Sequence, residues 1–147
     1  MIAYMMTILP TKRTLLVSLL SGLIAAAAPP LLAADRLIPG QYESTVTTDG
    51  KTQTSTQCVT PDEAKAVNAD AKAGREYAEK AAKGVCSVTN YEVKGDTVSL
   101  TMACGEGGRT SISTYHGDTF DGDNTYFQGK RVVRVSHIKA KRIGVCK

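Results

Sequence analysis

The sequence predicts a mainly β domain, an antiparallel meander of about seven strands that forms a curved sheet or a small barrel. One helix is inserted at about residues 61–83, and two disulfide bonds complete the prediction. Three observations lead to this fold class. Runs rich in Thr, Val and Tyr are separated by short Gly- and Asp-containing turns. A single Ala-, Lys- and Glu-rich stretch interrupts these runs. Four cysteines follow a segment that is typical of export.

The first two strands form a predicted hairpin. Residues 41–48 and 51–59 are joined by Asp49-Gly50, a pair favoured in two-residue hairpin turns. Five further runs follow the helix, and short Gly-containing turns separate them: 85–93, 97–104, 109–116, 119–127 and 131–143. A sheet of seven strands is expected to curl into a barrel or to wrap against the helix.

The inserted helix has clear end signals. Thr60 is a natural N-cap, Pro61 suits the first helical position, and Glu63 completes a capping box. Gly84 is placed to end the helix. The apolar face is mostly alanine and is interrupted by Gly74, so we expect this helix to cover the sheet rather than to form the core.

Residues 1–34 have the pattern of a secretory signal peptide. Lys12 and Arg13 precede the uncharged, mostly apolar residues 15–28, and cleavage is expected after Ala34. The alternative is an uncleaved membrane anchor, which needs about 20 apolar residues. The segment reaches that length only by including two prolines. The true start is Met1, Met5 or Met6, because the stretch before Lys12 is longer than a signal peptide needs.

Residues 35–147 are then expected to form a single disulfide-stapled domain. Removing Lys12 and Arg13 from 18 basic residues leaves 16 against 14 acidic ones, a net charge near +2. This balance does not indicate nucleic-acid binding. Residues 130–147 nevertheless contain seven Lys or Arg and no acid. Such a stripe could contact anionic lipid headgroups or polysaccharide. The favoured interpretation is that these residues form the solvated face of a terminal strand.

Turn geometry predicts which side chains share a face. The Asp49-Gly50 turn sets Tyr42 opposite Gln57, and a Gly95-Asp96 turn sets Tyr91 opposite Leu100. If the tyrosines face inward, Leu100, Met102 and Cys104 also face inward, whereas Cys58 and Cys86 face outward. The predicted disulfides are therefore Cys58–Cys86 and Cys104–Cys146. A single β-bulge would overturn this pairing.

No catalytic residue, metal site or cofactor is predicted. His116 and His137 are too few for a zinc site and are expected to be strand residues. No Gly-x-Ser-x-Gly motif is present, and four oxidised cysteines leave no thiol nucleophile. The acidic residues of 118–124 do not have the EF-hand spacing and are interpreted as a turn.

Several local motifs resemble one bacterial family. Residues 39–43 (PGQYE) resemble a PG-x-W/Y-E start, and residues 57–64 resemble QCVTPEEA. Residues 117–120 resemble GDSY, and residues 141–146 resemble a closing KRIGxC. Together they resemble the domain-of-unknown-function family 3617, small exported proteins with four cysteines. Tyr42 stands where members often have Trp, and residues 130–138 are basic where many members are Met-rich or neutral. The resemblance implies an exported, disulfide-stapled β domain and no residue roles.

The leading functional hypothesis is a non-enzymatic periplasmic or secreted monomer that binds a partner or small ligand in the cell envelope. An envelope protein, a lipid or a glycan is the expected partner. The candidate ligand-facing residues are Tyr42, Tyr91, Leu100 and Met102, with core packing as the alternative role. A second hypothesis is inhibition of an envelope enzyme such as lysozyme through acidic residues 118–123. A third is a hydrolase that pairs Glu106 with an aspartate.

Overall fold

The computed structural model describes residues 35–147, and the predicted signal segment 1–34 lies outside the described residues. Seven strands and two helices follow one another: β1 (Gly40–Thr48), β2 (Lys51–Val59), α1 (Pro61–Asn68), α2 (Ala71–Ala82), β3 (Ser87–Lys94), β4 (Thr97–Cys104), β5 (Gly107–Tyr115), β6 (Thr119–Gln128) and β7 (Arg131–Gly144). In this part of the chain, no helix combines the length and apolar character that a membrane crossing requires.

All seven strands form one antiparallel sheet with the order β2-β1-β7-β6-β5-β4-β3. The mainly β prediction is confirmed, but the sheet does not close into a barrel, and β2 and β3 form its two edges. Strand β1 lies between β2 and β7, so only β3 to β7 form a simple meander. The first hairpin turn is as predicted: Asp49 and Gly50 have φ angles of 50° and 74°, both in the left-handed region that a type I′ turn requires.

The helical segment is divided into two helices, so the prediction of one continuous helix is wrong. The start is as predicted: the Glu63 amide donates to Thr60 Oγ1 at 3.2 Å, and the Thr60 amide donates to Glu63 Oε2 at 2.7 Å. Residue Ala69 is extended, with ψ of 173°, and the Asp70 side chain caps a new helix by accepting from the Ala73 amide at 2.8 Å.

An arginine from the N-terminal segment stabilises this break. The Arg36 guanidinium donates to the carbonyl oxygens of Asn68 and Ala69 at 2.8 and 2.6 Å. These bonds satisfy carbonyls that a continuous helix would have used internally. A local helix pattern does not contain this contact, because its donor lies more than thirty residues earlier in the chain.

The disulfides are Cys86–Cys104 and Cys58–Cys146, so both predicted pairs are wrong. Near the turn, Tyr91 does lie opposite Leu100, but a register shift between Val88 and Asn90 changes the alignment farther along β3. This bulge turns the residues of β3 before it to the opposite face of the sheet from the predicted one. Cys86 therefore lies opposite Cys104 across the hairpin, with a Cα–Cα distance of 4.3 Å.

The second disulfide follows from the strand order. Gln41 of β1 pairs with Cys58 of β2 on one side and with Gly144 of β7 on the other. The chain beyond Gly144 therefore lies close to Cys58, and Cys146 bonds to it with a Cα–Cα distance of 5.4 Å. The two disulfides are consistent with an exported protein.

The core is small and lies where β1 begins, beneath α1. Tyr42 is fully buried among apolar side chains of the N-terminal segment, β2, α1 and β7: Leu37, Val59, Ala64 and Ala140. Its hydroxyl lies 2.8 Å from the Ile38 carbonyl oxygen and 3.1 Å from that of Gly117. The Tyr42 ring also packs on Phe120, with ring centroids 5.8 Å apart.

Candidate functional site

The strand registers divide the sheet into two faces of different chemistry. We call the face that carries Tyr42 and is covered by the helices the inner face. The antiparallel pairs Tyr91↔Leu100, Leu100↔Ser111 and Ser111↔Asn124 place these four side chains in one row across that face. Neighbouring rows contribute further aromatic and aliphatic side chains: Val98, Met102, Tyr115, Phe120 and Ile138.

A groove of about 690 Å³ lies between the two helices and the inner face, with most of its helical wall formed by α2. Helix α2 packs against β3, the edge strand, and the side chains of the middle strands therefore remain partly exposed to this space. The walls are mainly apolar. The helix side carries Ala66, Val67, Gly74, Tyr77, Ala78, Ala81 and Ala82, and the sheet side carries Tyr91, Val98, Leu100, Met102, Tyr115, Phe120 and Ile138.

Close packing of α2 on β3 positions the helical wall. Gly74 is buried, and a Cβ atom at this position would collide with the phenol of Tyr91. The next residue of α2 is Arg75, whose guanidinium donates to the Val88 carbonyl oxygen at 3.1 Å and to Glu79 Oε1 at 2.7 Å. The glycine therefore lets the helix approach the sheet, rather than only interrupting the helix.

Three of the four predicted ligand-facing residues line the groove. Tyr91, Leu100 and Met102 face it and are partly exposed. The prediction for Tyr42 is wrong: it faces inward, but it is fully buried at the end of the sheet under α1 and does not reach the groove. Its role is core packing, because α1 and the N-terminal segment cover it.

Sequence reasoning missed the polar floor of the groove. Ser111 Oγ donates to Asn124 Oδ1 at 2.6 Å, and Arg109 and Ser113 lie two residues to either side of Ser111 on β5. The period of two along β5 was available as a signal. The predicted turn at residues 105–108 shifts β5 by two residues relative to the observed pair Cys104↔Gly107, and an even shift keeps each side chain on its face, so this signal places Arg109, Ser111 and Ser113 on the face of Leu100.

The charged side chains on the strands' inner face are all basic. They are Lys51, Arg109, Arg131, Arg134 and Arg142, whereas the four acidic residues of the strands alternate to the outer face: Glu43, Glu92, Asp121 and Asp123. Arg142 Nε donates to the Pro39 carbonyl oxygen at 2.9 Å, and Arg134 lies 4.1 Å above the Tyr126 ring centroid. Of the five, Arg109 alone lines the groove.

Arg109 has no carboxylate partner among residues 35–147. Glu63 also lines the groove, but its carboxylate accepts from the amide and hydroxyl of Thr60 at the start of α1. The groove therefore presents a cation whose charge is not balanced by the protein.

Tyr91 and Tyr115 of the groove are neutral hydrogen-bonding groups at ordinary pH. Desolvation by burial raises the pKa of Tyr115, opposed by its hydrogen bond with Ser113. Desolvation likewise raises the pKa of Tyr91, opposed by the more distant charge of Arg36. Both phenols can therefore donate to a bound oxygen without carrying negative charge.

The predicted acidic turn at residues 118–124 is mostly strand. Only Asp118 precedes β6, while Asp121 and Asp123 lie on the outer face of that strand. Asp123 pairs with His137 of β7, and Asp121 Oδ1 lies 3.6 Å from Nε2 of His116, just after β5. Within residues 35–147, no cluster of three or more potential metal-ligating side chains is found.

Comparison with known proteins gives one match. A family model described as "Protein of unknown function (DUF3617)" matches residues 37–146, which is about three quarters of the chain. No curated protein and no solved structure matches the chain.

Proposed function

The chain belongs to the DUF3617 family of proteins of unknown function, and we propose that it is an exported, non-enzymatic binding protein. Its ligand is an amphipathic molecule with an apolar chain and an anionic head. The apolar chain of the ligand lies in the groove, and its anionic head contacts Arg109.

The partial exposure of the inner-face side chains carries this proposal. Leu100, Met102 and Ile138 are aliphatic residues of the middle strands, yet no helix covers them completely. A domain with so small a core gains stability from every apolar side chain it buries. Leaving these residues beside a groove of about 690 Å³ is explained by a ligand that completes their burial. The volume lies within the range of about 300–1,000 Å³ usual for small-molecule sites.

Arg109 supports an anionic head. A guanidinium favours a carboxylate or phosphate, which it can bind through two parallel hydrogen bonds. Ser111 and Asn124 lie next to Arg109 and are hydrogen-bonded to each other at 2.6 Å. Their polar atoms can also hydrogen-bond the part of the ligand that joins its head to its apolar chain. An apolar surface with one uncompensated cation at its end matches a fatty acid or another single-chain anionic lipid.

The proposed location is the periplasm or the secreted fraction, after cleavage near Ala34. Its support is the pattern of residues 1–34 together with the two disulfides, which persist in oxidising compartments. In this setting the ligand would come from the cell envelope.

Within residues 35–147, no observed contact supports the other two functional hypotheses, inhibition of an envelope enzyme and hydrolysis. The inhibitor hypothesis used an acidic loop at 118–123, but Asp121 and Asp123 belong to strand β6 and lie beside His116 and His137. The hydrolase hypothesis used Glu106, which lies in the turn between β4 and β5 and does not line the groove.

Isothermal titration with matched probes tests the proposal. The full chain, exported and processed by a bacterial host, is titrated with dodecanoate and with methyl dodecanoate, which has the same chain and no charge. We expect saturable one-to-one binding of the acid and binding of the ester weaker by at least about tenfold. Arg109→Gln should remove this difference, with Arg142→Gln as the control because Arg142 lies outside the groove. Absence of saturable binding by either probe would show that the proposal is wrong.

A further inference from the structure

The tip of the β6–β7 hairpin combines exposed valines with cations. We define the hairpin tip as residues 129–135. Val132, Val133 and Val135 are 56%, 50% and 42% exposed. Lys130 and Arg131 precede them directly, and both are exposed. Exposed large apolar side chains grouped in this way are typical of interaction surfaces.

One edge of this tip has no neighbouring strand. The pairing of β7 with β1 ends at Ser136, which lies opposite Thr48, the last residue of β1. The five residues Arg131–Val135 therefore extend beyond β1 by roughly 17 Å, at the usual rise per strand residue. The register shift between Tyr126 and Phe127 lies in the same part of the hairpin. The tip is thus open to a partner from the β1 side.

The charge of the tip is uniformly positive. No acidic residue follows Asp123 in the sequence. Lys130 and Arg131 have no carboxylate partner among residues 35–147, and Arg134 is stacked over Tyr126. The neighbouring acid is Glu106, whose backbone carbonyl accepts from the Gly129 amide at 2.7 Å. Within residues 35–147, none of the three cations of the tip forms an ion pair with a carboxylate.

We propose that the hairpin tip docks on the surface of an anionic lipid bilayer. Lys130 and Arg131 contact lipid phosphates, and the valines enter the boundary between headgroups and acyl chains. Cations beside apolar side chains are the combination that binds an anionic membrane interface. An anionic polysaccharide would use the cations alone, and the three exposed valines favour lipid. The proposal does not depend on the groove, because none of residues 129–135 lines it.

Vesicle co-sedimentation tests the docking. The probes are vesicles of phosphatidylcholine alone and of phosphatidylcholine mixed with phosphatidylglycerol. We expect binding only to the mixed vesicles and weakening by added salt. Each of Lys130→Gln and Arg131→Gln should weaken binding by about fivefold. The pair Val132→Ser and Val133→Ser should weaken binding with the charge unchanged. All variants alter exposed side chains, and circular dichroism verifies their fold.

The matched control is Lys139→Gln with Lys141→Gln, which removes two cations from the same strand within its β1-paired part. It should bind mixed vesicles nearly as well as the unchanged protein. An equal loss in this control, or no binding to mixed vesicles, would overturn the proposal. Binding to an anionic polysaccharide that is insensitive to the valine substitutions, without vesicle binding, would assign the tip to a glycan instead. Because vesicle binding is measured without fatty acid, its outcome is separate from that of the groove titration.

Discussion

Gly74 of α2 lies directly against the phenol of Tyr91 on β3, with no room for a Cβ atom between them. The contact sets the distance between helix and sheet at the edge of the groove. It also explains why a glycine occupies position 74, which the sequence pattern alone shows only as an interruption of the helix.

Gly74→Ala is expected to destabilise the domain. The added methyl must displace Tyr91 or the helix, and overpacking of this kind costs about 1–3 kcal/mol. The higher helix propensity of alanine offsets about 1 kcal/mol of that cost. We therefore expect the free energy of unfolding, measured by urea denaturation, to fall by up to about 2 kcal/mol.

A double-mutant cycle separates the collision from general effects on the helix. In a Tyr91→Leu background the phenol is absent, and Gly74→Ala should then be neutral or stabilising. A cost that is the same in both backgrounds would show that the two residues are not coupled.

The two disulfides should contribute unequally to stability. Cys58–Cys146 closes a separation of 88 residues and Cys86–Cys104 one of 18. The chain-entropy estimate gives about 4.6 kcal/mol for the longer loop and about 3.2 kcal/mol for the shorter one. Replacing each pair by serines and measuring urea unfolding checks this order. Peptide mapping without reduction checks the pairing, and a Cys58–Cys86 peptide would contradict the register described above.

Stability should decline at alkaline pH. Burial raises the pKa of Tyr42, Tyr91 and Tyr115 above the usual value of 10.0. Between about pH 10 and the raised pKa, the unfolded state loses protons that the folded state keeps, so unfolding becomes more favourable as pH rises. Below pH 10 this contribution is fully present. Urea midpoints across this range should fall, and Tyr115→Phe should show a smaller fall than the unchanged protein.

Filling the groove should block the proposed ligand. Leu100→Trp places a large ring in the row of side chains on the groove floor, and we expect the dissociation constant for dodecanoate to rise at least about tenfold. The control is Ile112→Trp, because Ile112 is 48% exposed on the outer face. Equal affinity in both variants would place dodecanoate elsewhere on the protein. Unfolding measurements on both variants establish that the fold is retained.

Local signals predicted the strands well. Each predicted strand end lies within two residues of the observed one. This agreement has a local cause: glycine and aspartate permit the φ angles of Asp49-Gly50, and β-branched residues favour extended backbone between turns. The Thr60–Glu63 capping box was likewise visible, because both partners lie within four residues.

Part of the candidate site was also within reach of the sequence. The Gly95-Asp96 turn placed Tyr91, Leu100 and Met102 on one face, and all three line the groove. Arg109, Ser111 and Asn124 are not among the predicted site residues, although strand alternation places them on the same face: the predicted turn at 105–108 differs from the observed one by two residues, and an even shift keeps each side chain on its face. Tyr42 lies on the predicted inner face of the sheet, but only the tertiary structure shows that α1 covers it.

By itself, the sequence determined the family, the strand segments, the Asp49-Gly50 and Gly95-Asp96 turns and the start of the helical region. These features depend on backbone preferences and on contacts between residues close in the chain. Only the tertiary structure decided the disulfide pairing, the helix break at Ala69 and the groove. One bulge in β3 turned Cys86 toward Cys104, the position of β1 between β2 and β7 brought Cys146 to Cys58, and Arg36 reached the end of α1 from a distant segment. Each depends on a long-range register or contact, which no short stretch of sequence specifies.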